Sequence, residues 1–318
     1  MLPQITQYQQ WLEKEIKRQK FGKAPASLYE PIRYIMALGG KRLRPLLTML
    51  SYSLYRNDPE KILKAAVAVE VFHNFTLMHD DIMDNAPLRR GQATVHEKWN
   101  ANVAILSGDV MLVKAYDLLL ESNPARLKEV IAKFNKCAAE VCEGQQHDMN
   151  FETLSQVNES EYLEMIRQKT SALLGFSLEL GAILADAPES DCQLLKNMGE
   201  SIGIGFQLQD DLLDVYADQE KFGKLVGGDI IANKKTFLLI KALETATGAD
   251  KDKLEHWIAK NKFIAEDKVK AVTEIYNRLE IKRLTTDLMN SYFEKGLSLL
   301  KNLKNSSENK QLLNDFFI

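Results

Sequence analysis

The sequence predicts an all-α protein, one domain of packed helices, and three observations predict it. Apolar residues recur at helical spacing, and strand-like alternating runs are absent. Glycine and proline are scarce, 16 and 8 in 318 residues. No Pro/Gly/Ser-rich tract divides the chain. Residues 1–318 therefore read as a single domain, although the length alone would allow two.

Taken in order, residues 3–21 form a first amphipathic helix with Ile5, Tyr8, Trp11, Leu12 and Ile16 on one side. Pro25 opens a second, 26–38, which Gly39-Gly40 ends. Lys41, Arg42 and Arg44 follow, before Pro45 and an apolar helix over 46–54. Three cations at a helix start oppose the helix dipole. They are either a solvated turn or the seat of an anion.

The stretch at 60–84 organises the rest. Ala65, Ala66, Val67, Ala68, Val69, Val71, Phe72 and Leu77 cover nearly every helical angle, so this helix is buried all round. At its end stand Asp80, Asp81 and Asp84. Side chains at i and i+4 lie one above the other, so Asp80 and Asp84 project together from a buried rod. Carboxylates seldom sit there unless paired or bound to a cation. Two hard oxygen donors suit Mg²⁺, which takes one or two carboxylates plus substrate phosphates. Asp210, Asp211 and Asp214 repeat the spacing after the apolar run 202–208. One copy alone could be an acidic patch or a cap. Two copies facing each other across a cavity could clamp a diphosphate.

Pro87 stops the first acidic helix, and Arg89 and Arg90 lie in the loop beyond. Residues 101–121 and 124–147 read as two more helices. A long helix over 160–185 carries Lys169-Thr170. Met165, Ile166, Leu173 and Leu174 flank Lys169, so it needs an anionic partner. The second acidic helix spans 190–217, and a glycine loop, 223–229, follows it. Polar amphipathic helices run over 241–304, with 269–303 covering the core. The tail, 305–318, is expected to be flexible.

Composition narrows the function. A formal net charge of −3 argues against nucleic acid, which wants a basic face. Cys137, Cys142 and Cys192 are odd in number and lack CxxC spacing, which suits a reducing cytoplasm and neither disulfides nor zinc. The five histidines make no HExxH pair. Residues 1–23 are too polar for a signal peptide. No apolar run reaches the roughly 18 residues of a membrane span; 102–120 comes nearest, interrupted by Asp109, Lys114 and Asp117. No nucleophilic triad, nucleotide fingerprint or redox centre appears.

The two acidic motifs, together with Gly40-Lys41-Arg42-Leu43-Arg44-Pro45, Leu88-Arg89-Arg90-Gly91, Lys169-Thr170 and Gly223-Lys224, resemble the trans-prenyltransferases. These are the polyprenyl diphosphate synthases, which include farnesyl and geranylgeranyl diphosphate synthases. The landmarks run in the family's order over about 38–236. The resemblance implies a helical bundle of the isoprenoid synthase type around a central cavity. It also implies a homodimer, formed through the region of 101–121. The substrates would be isopentenyl diphosphate and an allylic diphosphate, the latter bridged by several Mg²⁺ ions.

By the same resemblance, Lys41, Arg44, His73 and Arg90 seat isopentenyl diphosphate. Arg89, Lys169 and Lys224 serve the allylic side, and Thr170, Gln207 and Lys234 also bind substrate. Asp80, Asp81, Asp84, Asp210, Asp211 and Asp214 hold metal. Asp80, Asp84, Arg89, Lys169, Asp210 and Lys224 act in ionisation. Gln145 and Asp148 fit the family's pattern near the metals, with a structural role open for Gln145. The family usually has Gly before its second loop lysine. Asn233 stands there with Lys234 and Lys235 after it, so the choice between the two lysines stays open.

Phe75 and Thr76, fifth and fourth before Asp80, and Phe72 one turn deeper, are the chain-length candidates. They point to a C15–C20 product, geranylgeranyl ahead of farnesyl diphosphate, with core packing as the competing role for both rings. Two rivals remain: a terpene cyclase of the same build, against which Lys41, Arg44 and Arg90 count, and a non-catalytic subunit, against which both intact acidic motifs count.

Overall fold

The computed structural model describes residues 3–217, 227–304 and 309–317, and among these the protein is helical apart from one two-stranded hairpin. The described residues gather into two compact units. One comprises residues 1–138, 173–199 and 299–318, and the other 139–172 and 200–298.

In the first unit α1 (Pro3–Arg18) buries Ile5, Tyr8, Leu12 and Ile16 along one stripe. Helix α2 (Ala26–Ala37) ends where Gly39 and Gly40 take positive φ. Helix α3 starts earlier than expected, spanning Leu43–Ser53, because Arg42 adopts a left-handed conformation and caps it. A 3₁₀ turn, Pro59–Ile62, leads into α4 (Leu63–Met83), whose buried residues go round the helix as predicted. Asn85, in the left-handed region, ends α4; Pro87 comes too late to do so.

The next segment is a hairpin, where only a loop was expected. Strands β1 (Leu88–Arg89) and β2 (Gln92–Ala93) pair antiparallel. Arg90 and Gly91 between them both have positive φ, the two-residue turn that matches strand twist. A short α5 (Val95–Lys98) precedes α6 (Ala101–Leu120), the helix on which α4 packs most extensively. Gly108 makes that approach possible, since a Cβ there would sit 2.3 Å from His79 Nε2.

Helix α7 (Leu127–Thr153) runs six residues beyond the expected end, so Gln145 and Asp148 lie within it rather than at its terminus. The long helix expected over 160–185 is interrupted. It consists of α8 (Glu159–Ile166), a π-helical turn at Arg167–Ser171, and α9 (Ala172–Leu184). Helix α10 (Glu189–Tyr216) carries the second acidic motif. Then come α11 (Gly228–Ile231), α12 (Phe237–Thr245), α13 (Gly248–Ala259), α14 (Ala265–Arg278) and α15 (Ile281–Lys301).

Residues 309–317 form α16, which packs on α3. Leu313 is buried there, and the Asn309 amide donates to the Ser53 carbonyl. Ser53 lies nine residues past Arg44, roughly 13 Å along α3, so this contact is at the far end of the helix from that arginine.

Candidate active site

In the first unit the seat predicted from Lys41, Arg44, His73 and Arg90 assembles around the start of α3. Arg44 donates to His73 Nε2 at 3.2 Å. Arg90, in the turn of the hairpin, donates to the Gly39 carbonyl, and its guanidinium lies 2.9 Å from where a Cβ on Gly40 would be. Gly40 must therefore lack a side chain for the loop to close on Arg90. Lys41 is exposed beside them. Burial, then the cations Arg44 and Arg90, hold the imidazole of His73 well below its usual range, so it is a neutral group among positive charges. An anion would relieve that repulsion and also meet the N-terminus of α3.

Arg42, counted with the other two cations in the sequence, does something else. It is buried, donating from Nε to Glu13 (2.8 Å), from one terminal nitrogen to Glu70 (2.7 Å) and from the other to the Met36 carbonyl (2.8 Å). Asn74 completes the group by donating to Glu70 Oε1 at 3.0 Å. Arg42 thus ties the loop to α1 and α4, while Lys41 is exposed and Arg44, half-buried, turns to His73.

The three aspartates at the end of α4 divide. Asp81 turns inward, only 2 % exposed, and Arg89 grips it through Nε at 2.9 Å to both oxygens and through a terminal nitrogen at 2.7 Å. Burial raises its pKa, and Arg89 opposes the rise. Asp80 lies 3.8 Å from the same guanidinium, and Asp84 is exposed. Asp81 was expected to hold metal and Arg89 a diphosphate; each has the other as its partner here. His79 donates to the Ile105 carbonyl at 3.1 Å and braces α4 on α6.

The second unit repeats this division. Asp211 is 4 % exposed and accepts from the Tyr162 hydroxyl and from Gln207 Nε2 at 3.1 Å. Burial pushes its carboxyl up to about 7, against the stabilising hydrogen bond from Tyr162. Thr170 donates to Gln207 Oε1 at 3.1 Å, which joins the Lys169-Thr170 turn to the acidic motif. Asp210 is exposed, and Asp214 Oδ2 accepts the Asp229 amide at 2.9 Å.

Lys169 has its anionic partner inside the protein. Its ammonium lies 2.6 Å from Asp148, whereas the sequence pointed to a leaving diphosphate. It sits in the π-helical turn, where the backbone passes so close to α7 that a Cβ on Gly144 would lie 2.2 Å from the Lys169 nitrogen. Single π turns mark functional positions in helices. No side-chain pattern signalled this one, nor the pairing of Tyr162 with a residue 49 positions away. Gly223 and Lys224 lie outside the described residues.

The donor chemistry fits a hard divalent cation. Asp80 and Asp84 in one unit, and Asp210 with Asp214 in the other, supply carboxylates in pairs. Among the described residues no group of three or more metal-binding side chains is preassembled. Paired carboxylates without a full cage are what Mg²⁺ uses when substrate phosphates complete its shell.

A sequence model of the family described as Polyprenyl synthetase matches residues 25–276. The chain belongs to this family. It is similar to a short chain isoprenyl diphosphate synthase of Methanocaldococcus jannaschii, 45 % identical over 249 residues, covering 78 % of this chain and 76 % of the relative. It is 40 % identical to a geranylgeranyl diphosphate synthase of Methanosarcina mazei over 296 residues, 91 % of this chain and 88 % of that one. A crystal structure of a geranylgeranyl pyrophosphate synthase matches with a TM-score of 0.94 at 43 % identity, covering 98 % and 97 % of the two chains.

Lys234 acts electrostatically on Asp211, lowering its pKa, while Lys235 lines a separate pocket with Glu161, Glu244 and Glu255. Below Asp80, the Phe72 ring is fully buried, 5.6 Å from Phe75 and 5.0 Å from Phe134 between centroids. Phe75 also stands edge-on to His79 at 4.8 Å. Thr76 is half-buried, its hydroxyl donating to the His73 carbonyl.

Proposed function

We propose that this chain is a prenyltransferase that condenses isopentenyl diphosphate head-to-tail with an allylic diphosphate. The product is C15–C20, with geranylgeranyl diphosphate ahead of farnesyl. The observation that carries the reading is the shared plan of the acidic motifs: in each, the middle carboxylate is buried against a partner inside the protein, and the outer two, four residues apart on one helix, are half-buried or exposed. The names of the two geranylgeranyl synthases support the product class. The match over 25–276 takes in residues of both compact units, which supports treating them as one catalytic domain.

On this reading Asp80, Asp84, Asp210 and Asp214 would hold Mg²⁺ on the allylic diphosphate. The metal supplies Lewis-acid neutralisation of the leaving group. Lys169 and Lys224 add positive charge where charge develops as the allylic C–O bond breaks and diphosphate departs with the electron pair, and Lys234 helps to bind substrate. Arg89, held by Asp81, adds its charge beside Asp80. Lys41, Arg44, His73 and Arg90 seat isopentenyl diphosphate so that its double bond attacks the allylic cation. The new C–C bond forms, a proton leaves the adjacent carbon for the released diphosphate, and the double bond is restored one isoprene unit further along. Apolar walls keep water from trapping the cation.

Purified protein given labelled isopentenyl diphosphate, separate allylic primers and Mg²⁺ should yield a longer prenyl diphosphate. Hydrocarbon or alcohol instead would identify a cyclase, and activity only with an added partner would identify a subunit. The two seats should also separate kinetically. Lys41→Ala and Arg44→Ala should raise KM chiefly for isopentenyl diphosphate, and Lys169→Ala should impair the allylic side. Equal effects on both substrates in steady-state kinetics would contradict the assignment.

We further propose a homodimer built on α6. Leu106, Val113 and Leu120 are each more than half exposed and recur every seven residues, with Ile105 beside them. Such an apolar stripe on a surface helix suits a self-complementary contact. Leu106→Asp with Val113→Asp should halve the mass measured by light scattering; an unchanged mass would move the interface elsewhere. Three cysteines without CxxC spacing suit a reducing compartment, and we propose that the enzyme works in the cytoplasm.

A further inference from the structure

Lys268, on α14, is 1 % exposed. Its ammonium donates to the Ile231 carbonyl at 3.1 Å and to Asn233 Oδ1 at 2.7 Å, and stands 4.4 Å from the centre of the Phe263 ring. These partners are neutral, and burial lowers the lysine's pKa. An apolar side chain of similar shape would fill this place without desolvating a charge, so stability alone gives little reason for an ammonium here.

What it holds is specific. Ile231 is the last residue of α11, whose carbonyls need partners. Asn233 follows in the left-handed region, φ 54°, a conformation that Asn tolerates better than most residues. Its Nδ2 donates to the Ile258 carbonyl at 3.1 Å, so the side chain spans Lys268 and the end of α13. At the other end of α11, Asp214 accepts the Asp229 amide. The Lys234 amide then closes back on the Asp229 carbonyl at 2.9 Å. The segment bearing Asp229 and Lys234 is thus held at one end by the second acidic motif and at the other by Lys268 with Asn233.

We propose that Lys268 and Asn233 form a clamp that positions Asp229 and Lys234 relative to Asp210 and Asp214, and so sets how tightly the second acidic motif takes a magnesium-bound diphosphate. Neither residue touches the diphosphate; both are positioning residues. The inference rests on the proposed function for the identity of the anion.

The test is calorimetric titration of the full chain with inorganic diphosphate, with and without Mg²⁺. Lys268→Met keeps the apolar stem and removes the donors; Asn233→Gly keeps the backbone freedom and removes the side chain. Each should weaken the Mg²⁺-dependent binding about 10-fold, the scale on which outer-sphere partners tune a metal site, and leave the Mg²⁺-independent binding within about twofold. Lys268→Met should also have a smaller effect in the Asn233→Gly background than in the wild type, because the two share one interaction. A purely structural role would lower Tm and leave the Mg²⁺-dependent affinity unchanged, and that result overturns the clamp. If Lys268→Met does not fold, Asn233→Gly decides alone. Condensation by the wild type is assayed separately, so failure of the proposed function and failure of the clamp give different outcomes.

Discussion

Asp80→Ala and Asp210→Ala are each expected to cut kcat by about 10²-fold or more, the loss that follows removal of one preorganised electrostatic element. Asp80 projects from the end of α4, beside Arg89 but not enclosed by it, and Asp210 is exposed on α10. Circular dichroism and Tm check that both variants stay folded. The contrast is with the neighbours. Asp81→Ala would leave the Arg89 guanidinium without its bidentate partner, and Asp211→Ala would leave Tyr162 and Gln207 unsatisfied. Those two should show lowered Tm together with lost activity. Turnover of folded Asp80→Ala or Asp210→Ala near the wild-type rate would sink the metal-dependent mechanism, as would full activity in excess chelator.

The second large effect concerns Phe75. If this ring closes the end of the prenyl cavity, Phe75→Ala should release products longer than those of the wild type at retained activity. The helix rises about 1.5 Å per residue, so Phe75 lies roughly 7.5 Å below Asp80. The structure also shows why packing competes. Phe75 is 8 % exposed and wedged between the rings of Phe72 and His79. Truncating a buried Phe costs about 3–5 kcal/mol, which could unfold the protein before product length is read. Phe75→Leu is the gentler companion, since it retains most of the apolar volume. Chromatography of products from both variants decides the matter. Wild-type length from a folded, active Phe75→Ala enzyme would exclude Phe75 as the floor.

Helix identity was legible wherever one periodic face or an all-round apolar run spoke alone. The all-round burial of α4 and the stripe on α1 needed nothing beyond spacing. The breaks were not legible. The π turn at Arg167–Ser171 lies inside a run whose apolar residues continue on both sides, so period-3.6 reasoning carries straight through it. The hairpin at 88–93 is too short for alternation to register, and its signal was the Arg90-Gly91 pair. Helix α3 begins before its proline because a buried network turns Arg42 inward, and the partners Glu13 and Glu70 lie 29 and 28 residues away. Asn233, standing before Lys234, was noticed as an unusual residue; its partner Lys268 looked like any lysine of a polar helix.

The sequence by itself determined the helical class, the two carboxylate pairs at i and i+4, and the cationic stretch beside α3. Each follows from local geometry: 3.6 residues per turn decides which side chains share a face, whatever lies around them. Tertiary packing alone sorts neighbouring like residues into those held by partners inside the protein and those nearer the surface. Asp81 turned to Arg89, Asp211 to Tyr162, Arg42 to Glu70 and Lys169 to Asp148, while Asp210 and Lys41 stayed at the surface. The reason is that a buried charge must find its partner in space. Partners 21 to 49 residues away leave no mark on the local pattern, except in the short step from Asp81 to Arg89.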